Sequence, residues 1–391
     1  MKEITYQELQ SMLKPSYQLV DIRDHTAVNY GIIPGAIHIP MEELTERKGE
    51  LDPSKKIILY CAHGFASMKA CELLAAEEIQ ADYLKGGYSG WMVEKLDAEK
   101  DEEDEASLKQ RIKDIEHSIQ KTFKKRTFSQ FAKAINRYDM LQPGDKVAVC
   151  ISGGKDSMLL AKLFQELKRH NKFDFELEFI VMDPGYSTAN RKVIENNARI
   201  MGIPIRIFES DIFNVVYDIE QSPCYLCARM RRGYLYNKAK ELGCNKIALG
   251  HHYDDVIETI LMGMLYGGQV QTMMPKLHST NFEGMELIRP MYLIREADVK
   301  AWRDYNDLHF IQCACRFTEN TVTSETTGES TSKRQEIKQL IAELKKINPF
   351  IEGNIFKSVE NVNLNTIITY KKNGIRHDFL EWYDEMEGEK D

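Results

Sequence analysis

The chain of 391 residues is 43% hydrophobic and 29% charged, an ordinary globular balance with room for two or more domains that each bury a core. No apolar run approaches bilayer-spanning length and the start, MKEITYQELQ, has no apolar leader core, so the expectation is a cytoplasmic protein without membrane contact. The net charge of −8 is concentrated at the front: residues 1–119 carry 14 Lys+Arg against 23 Asp+Glu, and residues 120–391 carry 38 against 37, which leaves the back free to meet a polyanion.

Residues 1–95 alternate short apolar runs with helical patterns, the signature of an α/β domain. Gln18–Ile22 and Ile57–Tyr60 read as buried strands, and Leu73-Leu74-Ala75-Ala76 lies within a helix. The second strand runs into Cys61-Ala62-His63-Gly64-Phe65-Ala66-Ser67. A thiol at such a strand-to-helix turn sits among free backbone N–H groups near a positive helix end, which stabilises a thiolate or persulfide anion. VDIRDHTAVNYGIIPGAIHIP (20–40), CAHGFAS (61–67) and LKGGYSGW (84–91) together resemble rhodanese-type sulfurtransferases over roughly residues 1–95. The resemblance implies that Cys61 carries sulfur as a persulfide. Cys71, ten residues on in an apolar helix, reads as a core residue.

Residues 97–105 (DAEKDEEDE) are a charge run, read as a solvated linker or the outer part of a helix start. Leu108, Ile112, Ile115, Ile119 and Phe123 then follow the spacing of one helix face. The pattern turns basic at 121–137, where six Lys/Arg and no acid are interleaved with Phe123, Phe128 and Phe131. Lys124, Lys125 and Arg126 at its centre are candidate contacts for an RNA backbone, and an ordinary solvated helix face is the competing reading.

The sharpest stretch is Val147–Phe164, VAVCISGGKDSMLLAKLF. It reads as a strand buried on both faces, a glycine turn and a buried helix. That order aims backbone N–H groups and the positive helix end at one point, an anion site, to which Lys155 and two serines add charge and donors. GxxxxGK[ST] is absent, so this is not a Walker A loop. SGGKDS resembles the PP-loop of the ATP pyrophosphatase superfamily. By that resemblance Ser152, Gly153, Gly154, Lys155, Asp156 and Ser157 hold the pyrophosphate of ATP, with Lys155 and Asp156 catalytic.

Leu177–Asp183, Ile203–Phe208 and Cys244–Gly250 read as further strands of a parallel sheet, whose carboxyl edge is the ligand side. Family analogy puts Met182 near the adenine, and Gly250 joins the ATP-binding set at the end of its strand. Asp254 and Asp255 either bind Mg²⁺ on the ATP phosphates or cap the helix Val256–Tyr266.

Eight cysteines with one CxxC point to a reducing compartment and thiol or metal chemistry. In Pro223-Cys224-Tyr225-Leu226-Cys227 the proline marks a helix start, and cysteines three apart lie on one face. They suit zinc, an iron–sulfur cluster or redox work, with Cys313 and Cys315 as further donors. VAVCISGGKDS, the run from CYLCARMRRGYLYNKAKELGC to HHYDDVIETILMGMLYGG, IQCAC and NIFKSVENVN are together similar to the TtcA family, the tRNA 2-thiocytidine synthetases, over about 120–365.

The resemblance implies adenylation of an anticodon-loop cytidine and exchange of its oxygen for sulfur. It implies ATP, Mg²⁺ and a [4Fe–4S] cluster on Cys224, Cys227 and one of Cys313 and Cys315; the spacing CAC departs from the family and leaves that choice open. Arg229, Arg231 and Arg232 join the expected tRNA contacts. A cysteine desulfurase is the expected type of sulfur donor, and a homodimer is compatible with the sequence without being specified by it.

The expected organisation is α/β throughout: a rhodanese-like domain over 1–96, an acidic linker and helix over 97–119, and a PP-loop (adenine nucleotide alpha hydrolase-like) parallel-sheet domain over 120–391. Two other functions compete with tRNA thiolation: a PP-loop ligase acting on another nucleobase or small molecule, and a sulfur- or redox-sensing module.

Overall fold

The computed structural model describes residues 1–13, 16–25, 27–170, 172–210, 212, 223–310 and 333–383, with backbone alone at 29–30, 101–102 and 223–228. Two compact units divide the chain, Met1–Tyr253 with Pro275–Thr327, and Asp254–Met274 with Gly328–Asp391. Among the described residues no helix is long and apolar enough to cross a membrane.

The first unit begins with strands β1 (Glu3–Ile4), β2 (Tyr17–Asp21), β3 (Ile37–His38), β4 (Lys56–Tyr60) and β5 (Ala81–Leu84). They form a parallel sheet in the order β1-β5-β4-β2-β3. Ile57, Ile58, Leu59 and Tyr60 are all buried, as a strand covered on both faces requires. Helices α1 (Tyr6–Ser11), α2 (Phe65–Ala76) and α3 (Gly87–Glu102) accompany the sheet. Thr5 and Glu8 close a capping box that starts α1. In α2 the buried residues Ser67, Ala70, Cys71 and Leu74 fall on one face, and burial pushes the Cys71 thiol up to about 12, as suits a core cysteine.

α3 continues past this sheet, and α4 (Glu105–Gln120) starts behind it with Asp104 accepting the Ser107 N–H at 2.7 Å. The apolar spacing predicts one helix through Phe123, whereas α4 stops at Gln120. Lys121 to Thr127 form turns in which the Phe123 N–H bonds Ser118 O and the Thr127 N–H and hydroxyl both bond Phe123 O. This side-chain-closed turn keeps Phe123 buried while redirecting the chain into α5 (Phe128–Arg137).

The second sheet contains β6 (Lys146–Ile151), β7 (Glu176–Asp183), β8 (Ile205–Glu209), β9 (Lys246–Ala248), β10 (Lys276–His278) and β11 (Glu286–Ile288). Its order is β10-β11-β9-β6-β7-β8, parallel except for β10. The chain winds outward from β6 through β7 to β8, then returns to β9 on the other side of β6. The carboxyl end of β6 is therefore a topological switch point, where open α/β sheets leave a crevice. Helices α6 (Lys155–His170), α7 (Thr188–Ile200), α8 (Pro223–Glu241) and α10 (Glu296–Tyr305) belong to this part, and α9 (Tyr253–Gly267) leads into the second unit. In α6, Met158 to Ala161, Leu163 and Phe164 are fully buried. Phe131 of α5 meets Phe164 edge-on at 5.2 Å, so α6 is a core helix.

α3 also packs on α7. Lys192 reaches Asp97 at 2.8 Å, Arg199 reaches Glu103 at 2.5 Å, and Lys95 Nζ lies 3.1 Å from His309 Nε2. The edge of Trp91 meets the His309 ring with centroids 6.3 Å apart, and Asn197 donates to His309 O. Burial, then the Lys95 charge, holds the His309 imidazole below its usual range, so Lys95 donates to a neutral Nε2.

The second unit holds the rest of α9, α11 (Lys333–Ile347), α12 (Ile351–Ser358) and a hairpin of β12 (Thr369–Lys372) and β13 (Ile375–Asp378). Ile337 and Ile341 of α11 and Ile355 and Phe356 of α12 are buried, and the buried Glu258 is met by Arg334 at 3.1 Å and Lys338 at 3.5 Å.

Candidate functional site

The expected glycine loop lies at the β6 switch point. Ile151 ends the strand, Ser152–Gly154 turn, and α6 starts at Lys155. Gly153 has φ +85°, a left-handed conformation that a side chain would strain. Ser157 ties the turn: its hydroxyl donates to Gly154 O at 2.9 Å and accepts the Ser152 N–H at 3.1 Å. The N-terminus of the 16-residue α6 therefore opens on the carboxyl edge of the sheet, with its orphan N–H groups available to an anion.

Lys155 is 5% exposed and stands between two carboxylates, Asp156 Oδ2 at 3.0 Å and Glu296 Oε1 at 3.4 Å. Among the described residues the other Asp156 oxygen, Oδ1, is buried without a hydrogen-bond partner, and His252 Nε2 stands 3.7 Å from it. A buried orphan carboxylate oxygen at a helix N-terminus suits a cation brought in with phosphates. Gly250 has a packing reason: a Cβ there would lie 3.1 Å from Asp156 C and 3.2 Å from Ser157 N. The segment after β9 thus approaches the first turn of α6 closely, and the glycine at 250 relieves that contact.

Asp183 at the end of β7 is buried and organises the next turn, accepting the Gly185 and Tyr186 N–H groups at 2.9 and 2.6 Å. Tyr186 then donates to Ser152 O at 3.5 Å and accepts from Arg231 at 3.3 Å. Met182 is buried in an apolar cluster with Ile212, bordered by Tyr186, Phe208, Met230 and Leu235. Sequence reasoning did not assign Asp183, Tyr186, His252 or Glu296. Asp183 and His252 carried a signal, polar residues at or just beyond strand ends; Glu296 carried none, because only the fold brings it to Lys155.

Cys61 occupies the corresponding place in the first sheet, at the end of β4 next to the β2/β4 reversal. Its Sγ accepts the Gly64 N–H at 3.1 Å and the Ser67 N–H at 3.4 Å, with Ser67 Oγ at 3.5 Å. Gly64 (φ +96°) lets the loop curl around the sulfur. Gly87 (φ +60°) lets the start of α3 close on the same loop, where Tyr88 and Ser89 N–H bond Cys61 O and Ala62 O at 2.8 and 3.0 Å. A ring of donors aimed at one sulfur is suited to an anionic sulfur species.

The family model described as the PP-loop domain matches residues 115–317, more than half of the chain, and the rhodanese-like domain model matches residues 5–94. The tRNA-cytidine(32) 2-sulfurtransferase of Anaeromyxobacter sp. (strain K) is 35% identical over 235 residues, 59% of this chain and 77% of that protein. The protein of the same name from Syntrophotalea carbinolica is 36% identical over 233 residues, 59% of this chain and 86% of that one. The chain belongs to the tRNA-cytidine(32) 2-sulfurtransferase family. Among solved structures, the U34-tRNA thiolase NcsA from Methanococcus maripaludis with its [4Fe-4S] cluster is similar at a TM-score of 0.46 and 23% identity, over 59% of this chain and 76% of that one.

As a member of this sulfurtransferase family, the chain places the remaining expected residues as follows. The backbone of α8 starts at Pro223, so Cys224 and Cys227 fall in its first turns; their side chains, and Cys313 and Cys315 altogether, lie outside the described residues. Among the described residues no group of three or more His, Cys, Asp and Glu is arranged to hold a metal ion. Lys124 and Lys125 are exposed on the turn after α4, while Arg126 pairs with Asp298 at 3.2 Å and lies over Phe123. Arg229 and Arg232 are exposed on α8, and Arg231 is half-buried against Tyr186. α9 begins three residues before the expected Val256, so Asp254 and Asp255 sit inside its first turn, where their charge complements the helix dipole. Asp255 is 3.6 Å from Arg334.

Proposed function

We propose that this chain thiolates an anticodon-loop cytidine of tRNA. ATP bound at Ser152–Ser157 is attacked by the base oxygen, pyrophosphate leaves, and the base carries AMP on that oxygen. Sulfur then attacks the ring carbon and AMP departs with the oxygen, a far better leaving group than a bare carbonyl oxygen. Lys155 and the α6 N–H groups hold the departing pyrophosphate. Asp156 is proposed as a catalytic carboxylate, Asp254 and Asp255 are proposed as Mg²⁺ ligands, and Met182 and Gly250 are proposed for the nucleotide site.

Cys61 is the proposed sulfur carrier, loaded by a cysteine desulfurase as a persulfide and held by the Gly64 and Ser67 N–H groups. Releasing the outer persulfide sulfur as sulfide takes two electrons, which a thiol reductant supplies while Cys61 returns to the thiol. Cys224, Cys227 and one of Cys313 and Cys315 would hold a [4Fe–4S] cluster, a group that soft thiolates suit and that would supply a binding place for sulfide. Lys124, Lys125, Arg126, Arg229, Arg231 and Arg232 are the proposed tRNA contacts, in the chain alone or in a homodimer. The working division is 1–96 for sulfur loading, 97–119 for connection and 120–391 for catalysis.

The observation that carries this reading is the presence, in one compact unit, of a donor-ringed cysteine and a nucleotide loop, each at the carboxyl edge of its own sheet. The test starts with protein purified without oxygen: iron, sulfide and absorption spectra for the wild type and for Cys224→Ala, Cys227→Ala, Cys313→Ala and Cys315→Ala. About four irons and four sulfides, lost in three of the four variants, support the cluster and name its third ligand. Zinc, or no metal, removes it. ATP-dependent appearance of thiocytidine in tRNA, lost in Asp156→Ala, tests the reaction itself.

A further inference from the structure

We propose that the β12–β13 hairpin is a phosphate clamp for the tRNA backbone, with Lys371 and Arg376 as its jaws and Lys372 next to the turn on the opposite face. The proposal rests on the tRNA reading above and adds a contact surface outside the region matched by the PP-loop family model, 115–317.

The hairpin reverses at Asn373-Gly374, with φ +52° and +80°, the pair of left-handed residues of a type I′ turn. The register sets Tyr370 opposite His377, Lys371 opposite Arg376, and Lys372 opposite Ile375. Side chains alternate between faces, so the two faces have different work. On one, Tyr370 stacks on His377 at 4.8 Å and contacts Trp382 at 5.8 Å, while His377 pairs with Glu381 at 2.9 Å. Asp378 and Glu381 add a capping box behind the second strand. These contacts anchor the ribbon without its cations.

The other face opposes two like charges directly, an arrangement that destabilises a strand pair unless something compensates. Little in the hairpin does. Residues 361–377 contain three Lys/Arg and no Asp or Glu. Arg376 is 4.0 Å from Asp378, its side chain 68% exposed, and among the described residues Lys371 and Lys372 have no ion pair. Opposed residues on antiparallel strands have Cβ atoms about 5 Å apart, which lets an ammonium and a guanidinium close on one phosphate between them. A narrow two-stranded ribbon with three exposed cations and no acid toward its tip has the charge of a backbone reader. The arrangement favours repeated phosphates over a folded acidic protein, because the cations are clustered at one tip and the neighbouring exposed residues Asn361, Asn363, Asn365 and Thr366 are neutral donors.

The test uses the full chain and a tRNA transcript, with equilibrium binding measured across a salt series. Replacing Lys371, Lys372 and Arg376 together by Gln should lower the slope of log K against log salt by about 2–3 and weaken binding about 100-fold near physiological salt. ATP affinity without tRNA should not change. The charge-keeping pair Lys371→Arg and Lys372→Arg should keep the wild-type slope, which separates charge from folding. An unchanged slope in the Gln variant overturns the clamp and leaves thiolation standing; wild-type protein that binds no tRNA overturns both. A Gln variant that loses binding to polyglutamate but keeps its tRNA slope assigns the hairpin to an acidic protein and equally overturns the proposal.

Discussion

Gly87→Ala should disable sulfur loading while leaving nucleotide chemistry intact. A Cβ at 87 would lie 2.4 Å from Cys61 O, 2.8 Å from Gly64 N and 2.9 Å from Ala62 C, all of them backbone atoms of the sulfur loop. Comfortable contact lies near 3.5 Å, so the loop must retreat by about 1 Å. The left-handed φ of +60° adds about 1–2 kcal/mol for any side chain, and overpacking adds about 1–3 kcal/mol. The loop that moves is the one whose N–H groups hold the Cys61 sulfur. A misplacement of about 1 Å commonly costs about 100-fold in rate. The assay is persulfide formation on Cys61 from a small sulfane-sulfur donor, beside a thermal melt and ATP binding. Loading should fall about 100-fold with ATP affinity unchanged, and Gly49→Ala, where a Cβ meets nothing within 4 Å, should behave as wild type. Loading within about twofold of wild type, with an unmoved melt, would refute the reasoning.

Lys155→Met removes the cation between Asp156 and Glu296 and leaves both carboxylates facing the nucleotide; ATP affinity by equilibrium dialysis should drop by about 10–100-fold. Unchanged affinity would take Lys155 out of the site. Gly250→Ala places a Cβ 3.1–3.2 Å from the backbone of the first turn of α6, so that turn must shift by a few tenths of an ångström; pyrophosphate release should slow while the melt changes little, and an unaffected rate counts against that packing role. Stability should fall below pH 6.5 through His309, whose folded value is depressed by burial and Lys95, with Arg303 opposing protonation and Asp307 and Glu99 favouring it. Above pH 6.5 folded and unfolded histidine are both neutral; below it the unfolded chain takes the proton first, costing up to about 1.4 kcal/mol per pH unit until the folded imidazole titrates. Urea melts at pH 7.5 and 5.5 should show this loss shrinking in His309→Gln, and an equal loss in both proteins would exclude His309 as its source.

The two sheets were legible because their central strands are continuous apolar runs too short for helices, each ending in a loop whose residues have little reason to be there except chemistry. SGGKDS and CAHGFAS therefore announced both site loops. The helix break at Lys121 was not legible: the apolar spacing through Phe123 is helical, and only the Thr127 and Ser118 hydrogen bonds that redirect the chain end it. Glu296 could not be placed beside Lys155 either, since its position depends on how α10 packs on α6. The hairpin carried a readable Asn-Gly turn, and its short, polar strands hid it from a search based on apolar alternation.

The helix from Gly87 to Glu102 has a mechanical consequence. Its first turn closes the Cys61 loop, its middle touches His309, and its end grips Arg199. One rigid rod thus spans what the sequence divides into a rhodanese-like domain and a linker. A displacement of the chain at 308–310 would turn that rod and be felt at the sulfur loop as torque. Lengthening it by two residues would rotate one end against the other by about half a turn, so helix phase, more than tether length, would set how the Cys61 loop faces the chain at 308–310.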